Sequence, residues 1–160
     1  MDESGFLSAA RVAVVGLGLM GGSLAMALQG HCAALYGADP DPRAVALALE
    51  KRIVERAACD LTELPGDADL IVLAAPVRAI LAELRRLPEL HPGAAVVLDL
   101  GSTKRRVVEG MAALPERFDP IGGHPMCGKE RGSLENAEAG LYRGATFALT
   151  PLARTGERAR

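Results

Sequence analysis

The sequence predicts a doubly wound α/β domain built on a mainly parallel β-sheet. Short runs of Val, Leu, Ile and Ala alternate with stretches that suit helices, and the connections between them are short. The apolar runs carry few charges, as expected for strands that are covered on both faces. With 160 residues, 49% of them hydrophobic, the chain has the size of one domain with a sizeable core. We expect this domain to span residues 11–151, between an N-terminal tail (1–10) and a C-terminal tail (152–160).

The individual elements follow in a regular order along the chain. Strands are expected at residues 11–15, 33–38, 69–74, 94–100, 118–121 and 145–149. Helices are expected at residues 21–29, from residue 42 onward, at residues 77–87, and in the stretch 101–114 from near Ser102. Gly30 is placed to end the first helix, and Pro88 the third. Asp41 is expected to cap the second helix, with Pro42 at its first position.

The overall charge argues against a nucleic-acid partner. The net charge is −2 at neutral pH, and acidic and basic residues are mixed along the sequence without a basic stripe. The three cysteines, Cys32, Cys59 and Cys127, are scattered and form no C-x-x-C pair. This usage favours reduced thiols in the cytoplasm over a disulfide framework.

Residues 12–28 form an uncharged stretch that resembles a membrane segment but does not fit one. The stretch is short for a span, and its glycines weaken that interpretation further. It does not fit a signal peptide either, because Asp2 and Glu3 precede the single basic residue Arg11. We therefore expect no membrane partner.

A glycine pattern lies between the first strand and the first helix. Gly16, Gly18 and Gly21 spell G-x-G-x-x-G, and Asp39 ends the next strand 23 positions after Gly16. In a Rossmann-type fold the first glycine permits a tight turn, the second lets backbone approach a pyrophosphate, and the third allows close helix–strand packing. The free N–H groups of the helix then face the phosphates. The other interpretation is a glycine-rich packing turn with Asp39 as a cap.

The motif predicts a dinucleotide cofactor. Leu19 and Met20, between the second and third glycines, are expected to bind it as well. A carboxylate at Asp39 can accept hydrogen bonds from a ribose 2′-OH and repels a 2′-phosphate, which favours NAD. Arg43 is near enough in sequence to leave NADP possible.

Three further stretches follow later strands, where open α/β sheets bind ligands. Ala75 and Pro76 could form a rigid wall of the cofactor site or only start a loop. Ser102 places a hydroxyl near a helix start, either toward a ligand or as an N-cap. Lys104 is interpreted as a solvated charge in the first helical turn, with a role in the site as the alternative.

The third stretch, "GGHPMCG", contains His124 in what we expect to be a loop after the strand at 118–121. A neutral imidazole there can accept a proton or a hydrogen bond near neutral pH. His31 and His91 lie in turns and are expected to be exposed and inert. No second histidine or cysteine stands at ligand spacing from His124, so we expect no metal site.

Together these motifs resemble a known enzyme family. They are "GLGLMGGSLA" (16–25), Asp39, "AAPV" (74–77), "DLGSTK" (99–104), "GGHPMCGKE" (122–130) and "LYRGATFALTP" (141–151). In this order the chain is similar to the prephenate/arogenate dehydrogenases of tyrosine biosynthesis, from about residue 11 to residue 151. The H-P-M-x-G stretch is the most specific part of this resemblance.

The resemblance implies an oxidative decarboxylation of prephenate to 4-hydroxyphenylpyruvate, with hydride transfer to NAD. By this analogy His124 accepts a hydrogen bond from the ring hydroxyl of the substrate. Ser102 would contact that hydroxyl, the nicotinamide, or both, and Glu130 would lie near the site entrance. Arogenate is the alternative substrate.

The sequence departs from the family at its end. Members usually continue into a helical second domain that forms the homodimer and completes the substrate pocket, whereas this chain stops at "LARTGERAR". We therefore expect the nucleotide-binding half of the enzyme, or a module that binds NAD without turnover. β-Hydroxyacid dehydrogenases and imine reductases share the G-L-G-x-M-G opening, but the "GGHPMCG" stretch argues against them.

Overall fold

One seven-stranded sheet organises the computed structural model, which describes residues 3–129 and 132–159. Its strands are β1 (Arg11–Val15), β2 (Ala34–Ala38), β3 (Arg56–Ala58), β4 (Leu70–Leu73), β5 (Ala95–Asp99), β6 (Phe118–Pro125) and β7 (Phe147–Pro151). The helices are α1 (Glu3–Ala9), α2 (Leu19–Leu28), α3 (Pro42–Glu50), α4 (Val77–Leu90) and α5 (Arg105–Ala112). Short 3-10 turns occur at Leu61–Glu63, Leu134–Asn136 and Glu157–Ala159.

The strand order confirms the predicted doubly wound, mainly parallel fold. The order is β3-β2-β1-β4-β5-β6-β7, the first six strands are parallel, and only β7 is antiparallel to its neighbour. The sequence order of the strands reverses direction at β1, which is where such folds bind nucleotides.

Two hydrophobic cores lie on opposite faces of the sheet. Because side chains alternate along a strand, Val12 and Val14 of β1 join one core with α2 and α3, and Ala13 and Val15 join the other with α4 and α5. All four side chains are buried. This two-sided burial explains why the strands appear in the sequence as nearly continuous apolar runs.

Helix α4 runs past the proline that was expected to end it. Pro88 lies in the last turn of α4, where its missing N–H removes a single helical hydrogen bond. Arg117 donates hydrogen bonds to the carbonyl oxygens of Pro88, at 2.6 Å, and of His91. These bonds satisfy carbonyls that the helix end leaves without partners.

The strand boundaries near His124 also differ from the prediction. Strand β6 continues to Pro125 instead of ending at residue 121, because β7 pairs with its second half and places Ala148 opposite His124. Gly123 lies within this strand because of close packing: a Cβ there would meet the backbone oxygen of Asp99 at 2.8 Å. The expected loop at "GGHP" is therefore wrong, and β7 itself lies two residues later than predicted. The short strand β3, at the other edge of the sheet, was not predicted.

The connection between β6 and β7 packs across the start of α2. Leu134 fills the space beside Gly22, where a Cβ would come within 2.3 Å of it. The Ser23 hydroxyl accepts a hydrogen bond from the Glu138 N–H, and the Tyr142 hydroxyl donates one to the Met20 carbonyl at 2.8 Å. Burial raises the pKa of the Tyr142 hydroxyl. These contacts fix the glycine-rich start of α2 from outside.

The segments that flank the expected domain are packed against it. Phe6 of α1 is partly buried against a core cluster, and Thr155 is buried and donates a hydrogen bond to the Pro120 carbonyl. The Arg158 guanidinium lies 4.4 Å from the centre of the Phe6 ring, so the two ends of the described chain meet. None of the helices in the described ranges is long and apolar enough to cross a membrane.

Candidate functional site

The candidate site lies along the edge of the sheet where the parallel strands end. Gly16 follows β1, Ala74 follows β4, and Gly101 follows β5. His124 lies near the end of β6, beyond the pairing of Gly122 with the last residue of β5. The topology therefore brings the sequence motifs to one edge of the sheet.

The glycine turn between β1 and α2 requires two of its glycines for its own geometry. Gly16 has φ +97°, and a Cβ there would lie 2.6 Å from the Ala74 carbonyl oxygen. A Cβ on Gly21 would lie 1.8 Å from the Gly16 carbonyl oxygen. These positions make the tight turn and the close helix–strand packing that the motif predicts.

Gly18 is different because nothing within the described chain explains its lack of a side chain. Its φ of −79° suits any residue, and a Cβ there would meet no atom within 4 Å. Gly18 is the N-cap of α2, but it supplies no side-chain cap, and the first turn contains no acidic residue. The first N–H groups of a helix lack helical partners. This end of α2 is therefore open to an anionic ligand, and it fits a phosphate.

The Asp39 carboxylate holds the glycine turn in place. One of its oxygens accepts a hydrogen bond from the Leu17 N–H at 2.7 Å, and the other accepts one from the Asp41 N–H at 2.9 Å. Asp41 in turn caps α3 as predicted, accepting from the Arg43 N–H with Pro42 at the first helical position. A carboxylate has about four acceptor positions, so Asp39 keeps capacity for ligand hydroxyls.

Two cavities meet at the glycine turn and share Gly18 and the segment 74–76 in their walls. The first cavity has a volume of about 450 Å³ and extends toward Asp39. The second has a volume of about 350 Å³ and extends past Leu19 and Met20 toward Ser102. An extended ligand centred on Gly18 could occupy both cavities, with Ala75 and Pro76 between its ends.

The first cavity contains a charged cluster that the sequence did not predict. Arg86 donates hydrogen bonds to both oxygens of Asp60, at 2.7 and 2.9 Å, and one to Glu83 at 2.8 Å. The guanidinium of Arg86, aided by the Thr62 N–H, lowers the pKa of Asp60 to about 2. Arg43, whose place in the sequence left NADP possible, is exposed and does not line this cavity. The spacing of Glu83 and Arg86 on α4 was visible in the sequence, but their contact with Asp60 depends on the tertiary fold.

Ser102 lines the second cavity, but it does not cap a helix. Helix α5 begins at Arg105 with Lys104 at the N-cap position, so the expected helix start near Ser102 is wrong. Ser102 is exposed and forms no hydrogen bond with the described part of the chain. Lys104 is not a solvated charge, because its ammonium group pairs with the fully buried Asp99.

The three histidines have different environments. His124 is half-buried on β6 and does not line either cavity. His31 is exposed, as predicted, but His91 is only 4% exposed and hydrogen-bonds through its ring nitrogens to the carbonyls of Ala68 and Gly93. The expected exposure of His91 is therefore wrong. Glu130, the expected entrance residue, lies outside the described residues.

Groups that could hold a metal ion are absent from the parts of the chain that the structure covers. Cys32, Cys59 and Cys127 are all free thiols. Burial raises the pKa of the thiols of Cys32 and Cys127, which disfavours the reactive thiolate form at neutral pH. Metal binding and cysteine chemistry therefore gain no support from the described residues.

Comparison with known proteins identifies the family. The family model described as "Prephenate dehydrogenase, nucleotide-binding domain" matches residues 24–159. The chain belongs to this family. A prephenate dehydrogenase from Bacillus subtilis (strain 168) is 30% identical over 154 residues, which cover 92% of this chain and 41% of that protein.

Solved structures of the prephenate dehydrogenase family have the same fold. The Aquifex aeolicus prephenate dehydrogenase in complex with hydroxyphenyl propionate and NAD+ superposes with a TM-score of 0.86 and 31% identity, covering 96% of this chain and 54% of that one. The Synechocystis arogenate dehydrogenase has a TM-score of 0.84 and 33% identity, covering 92% and 52%. The chain thus spans about half the length of these relatives.

Proposed function

We propose that this chain is the dinucleotide-binding half of a prephenate-type dehydrogenase that uses NAD. The observation that carries the proposal is the open space at Gly18, between two cavities at the start of an uncapped helix. A glycine without an intramolecular reason, at that position, fits close approach of a pyrophosphate to the backbone. Family membership supports the same assignment.

The cavities suggest how NAD would lie on the sheet edge. Its pyrophosphate would contact Gly18, Leu19 and Met20 at the start of α2, where the free N–H groups point. The adenosine ribose would face Asp39 in the first cavity, and the nicotinamide would enter the second cavity beside Ser102. The residues present therefore fit a dinucleotide.

The first cavity favours NAD over NADP. The half-buried Asp39 carboxylate would repel a 2′-phosphate and would accept hydrogen bonds from a free 2′-hydroxyl. The Arg86 guanidinium, which could otherwise attract that phosphate, is engaged by Asp60 and Glu83. The cavity therefore offers no unpaired cation from the described residues to a 2′-phosphate.

His124 and the glycine turn are far enough apart to hold a nicotinamide and a substrate between them. Strands β1 and β6 are three strand positions apart in the sheet, and three spacings of about 4.8 Å give a separation of about 14 Å. In this proposal the nicotinamide riboside and a small cyclic substrate would occupy that interval. His124 would then face the substrate from the far side.

The reaction that we propose converts prephenate to 4-hydroxyphenylpyruvate and carbon dioxide. NAD, when bound, accepts the hydride that leaves the carbinol carbon of the ring. His124 would accept a hydrogen bond from the ring hydroxyl, which increases electron density on its oxygen as the hydride departs. The carbon–carboxylate bond then breaks, its electron pair completes the aromatic ring, and the phenolic oxygen keeps its proton. Such assistance by a positioned base is worth about 10²–10⁴-fold in rate.

Ser102 would orient the reacting groups from the cofactor side. Its exposed hydroxyl lies in the second cavity, within the turn that follows β5. It can donate a hydrogen bond to the substrate hydroxyl or to the nicotinamide carboxamide. We also propose, from the family resemblance, that Glu130 lies at the entrance of the site.

The test is turnover of prephenate by the chain with NAD, followed through the absorbance of the reduced nicotinamide. His124→Asn should reduce kcat by about 100-fold or more with little change in NAD affinity. His31→Asn is the matched control, because His31 is exposed and lies outside both cavities. Full activity in the His124 variant would remove this residue from the mechanism.

A second candidate is a module that binds NAD but does not turn over substrate alone. It is favoured by the two cavities at Gly18, which described residues line, whereas His124 lines neither of them. NAD binding measured by calorimetry, without turnover of either prephenate or arogenate, would support this candidate. Turnover of arogenate but not of prephenate would instead assign the alternative substrate.

A further inference from the structure

Asp99, the last residue of β5, connects the two parts of the candidate site. Its side chain is fully buried. One carboxylate oxygen accepts a hydrogen bond from the Gly101 N–H at 2.9 Å, and the other accepts one from the Gly123 N–H at 3.2 Å. Gly101 directly precedes Ser102, and Gly123 directly precedes His124. A single carboxylate thus binds the backbone next to each proposed catalytic residue.

Lys104 compensates the charge of this buried carboxylate. Its ammonium group pairs with the oxygen of Asp99 that also accepts from Gly101. The Lys104 side chain crosses Gly122, where a Cβ would lie 3.2 Å from the Lys104 Cδ. Since His124 is two residues beyond Gly122 on the same strand, the Lys104 side chain packs on the face of β6 that carries the histidine.

An ion pair with one fully buried partner needs an explanation other than stability at this place. Desolvation of both charges offsets most of their attraction, and well-packed apolar residues often stabilise a protein as much or more. An apolar residue at the end of β5 could not accept hydrogen bonds from two backbone segments at once. The two bonds to Gly101 and Gly123 are therefore what the carboxylate specifically provides.

We propose that Asp99, with Lys104 as its counter-charge, is a positioning residue that fixes the spacing between Ser102 and His124. This inference rests on the proposed function for the roles of Ser102 and His124, but not for the geometry. A misplacement of about 1 Å can reduce a rate by about 100-fold. Loss of the Asp99 carboxylate should therefore impair the chemical step more than cofactor binding.

The test compares Asp99→Asn, Lys104→Met and the double variant in the full chain. The carboxamide introduced by Asp99→Asn can offer its oxygen to one N–H but presents an NH₂ group to the other, so one of the two backbone bonds is lost. In this variant we expect a kcat at least about tenfold lower, with a KM for NAD within about twofold of wild type. Lys104→Met leaves the buried Asp99 charge unpaired and should lower the thermal midpoint by about 10 °C. Asp99→Asn leaves unpaired the Lys104 ammonium, whose side chain is 19% exposed, and should lower the midpoint less.

The double variant separates positioning from charge balance. Asp99→Asn/Lys104→Met leaves no unpaired charge, so its thermal midpoint should recover most of the loss, whereas kcat should stay low. Recovery of both quantities would overturn the proposal, because the pair would then only balance charge. A wild-type kcat in Asp99→Asn would overturn it as well.

A spectroscopic measurement tests the geometry without turnover. The ring signals of His124 and the amide signals of Ser102 and Gly123 should shift or broaden in Asp99→Asn and in the double variant, while the ring signal of His31 stays unchanged. Asp119→Asn is the matched control: Asp119 also lies on β6 and accepts a backbone N–H, that of Gly156 at 2.7 Å. Unchanged signals at His124 and Ser102 would refute the positioning role. Shifted signals in a chain whose wild type does not turn over substrate would refute only the proposed function.

Discussion

Gly18 and Gly21 lie three residues apart in the same turn, but a methyl group at each position would meet different surroundings. A Cβ on Gly18 meets no atom within 4 Å, whereas one on Gly21 meets the Gly16 carbonyl oxygen at 1.8 Å and the Ala74 Cβ at 3.0 Å. Gly21→Ala would therefore force the start of α2 away from the turn by more than 1 Å. Gly18→Ala would leave the fold intact and would fill only the space that we assign to the pyrophosphate.

The expected loss of stability in each variant depends on which atoms the added methyl group would displace. Overpacking typically costs about 1–3 kcal/mol, and the upper end applies to Gly21→Ala because a backbone carbonyl cannot rotate away. For a domain of this size, about 3 kcal/mol lowers the thermal midpoint by about 6–12 °C. Gly18→Ala should keep the midpoint within about 2 °C, because the substitution also restricts the unfolded chain. Its affinity for NAD should fall at least about tenfold, or 1.4 kcal/mol.

Thermal unfolding followed by circular dichroism and NAD binding followed by calorimetry measure both effects. The two variants are controls for each other, since each carries the same added methyl group in the same turn. If Gly18→Ala binds NAD as tightly as wild type, the glycine turn is not the dinucleotide site. If Gly21→Ala is as stable as wild type, the close approach of α2 to the turn is wrong.

Substitutions at three further positions test other contacts of the structure. Asp39→Asn should raise the affinity for NADP relative to NAD by about tenfold. Its amide oxygen can still accept from the Leu17 N–H while the Asp41 N–H loses its acceptor, so this variant should lose less stability than Asp39→Ala, which should lose about 1–3 kcal/mol. An unchanged cofactor ratio would contradict the role of Asp39. Asp60→Asn should cost less than about 1 kcal/mol at pH 7, because its pair with Arg86 is half-exposed. The folded-state pKa of Asp60 is lowered to about 2 from 3.8, so its contribution to stability is present above pH 4 and is lost as the pH falls through 2. Urea unfolding should therefore show a difference in the free energy of unfolding between wild type and Asp60→Asn at pH 7, and almost none at pH 2. Tyr142→Phe should reduce the free energy of unfolding by about 0.5–1.5 kcal/mol through loss of one hydrogen bond, and equal urea midpoints would show that this contact does not stabilise α2.

The central strands and the glycine turn could be predicted because their signals are local. A run such as "RVAVV" is apolar on both faces, and β1 occupies the predicted residues 11–15. The glycines at 16 and 21 are required by backbone geometry that any such turn imposes. Asp41 and Pro42 likewise mark the start of α3 through capping alone.

The errors arise where tertiary contacts override a local signal. "GGHP" has the composition of a turn, but pairing with β7 and close packing on Asp99 keep it extended. Pro88 remains in α4 because Arg117, distant in sequence, binds the carbonyls at the helix end. The three residues of β3 contain too little apolar pattern to indicate a strand, and only the register with β2 creates it.

For the candidate site, the sequence identified residue types but not the contacts that hold them. Asp99, which we propose positions Ser102 and His124, appears in the sequence as the one charge in an apolar run and as the first residue of "DLGSTK". Its burial and its two backbone partners belong to the sheet as a whole. Arg86 and Asp60 could not be paired either, because they lie 26 positions apart in the sequence.

The contact between Arg158 and Phe6 has a practical consequence. It places both ends of the described chain at the edge where β1, β4 and β6 begin, with Arg158 also near Asp69 just before β4. The glycine turn and His124 lie at the opposite edge. A surface attachment placed beside Phe6 or Arg158 would thus leave the glycine turn and His124 facing the solution.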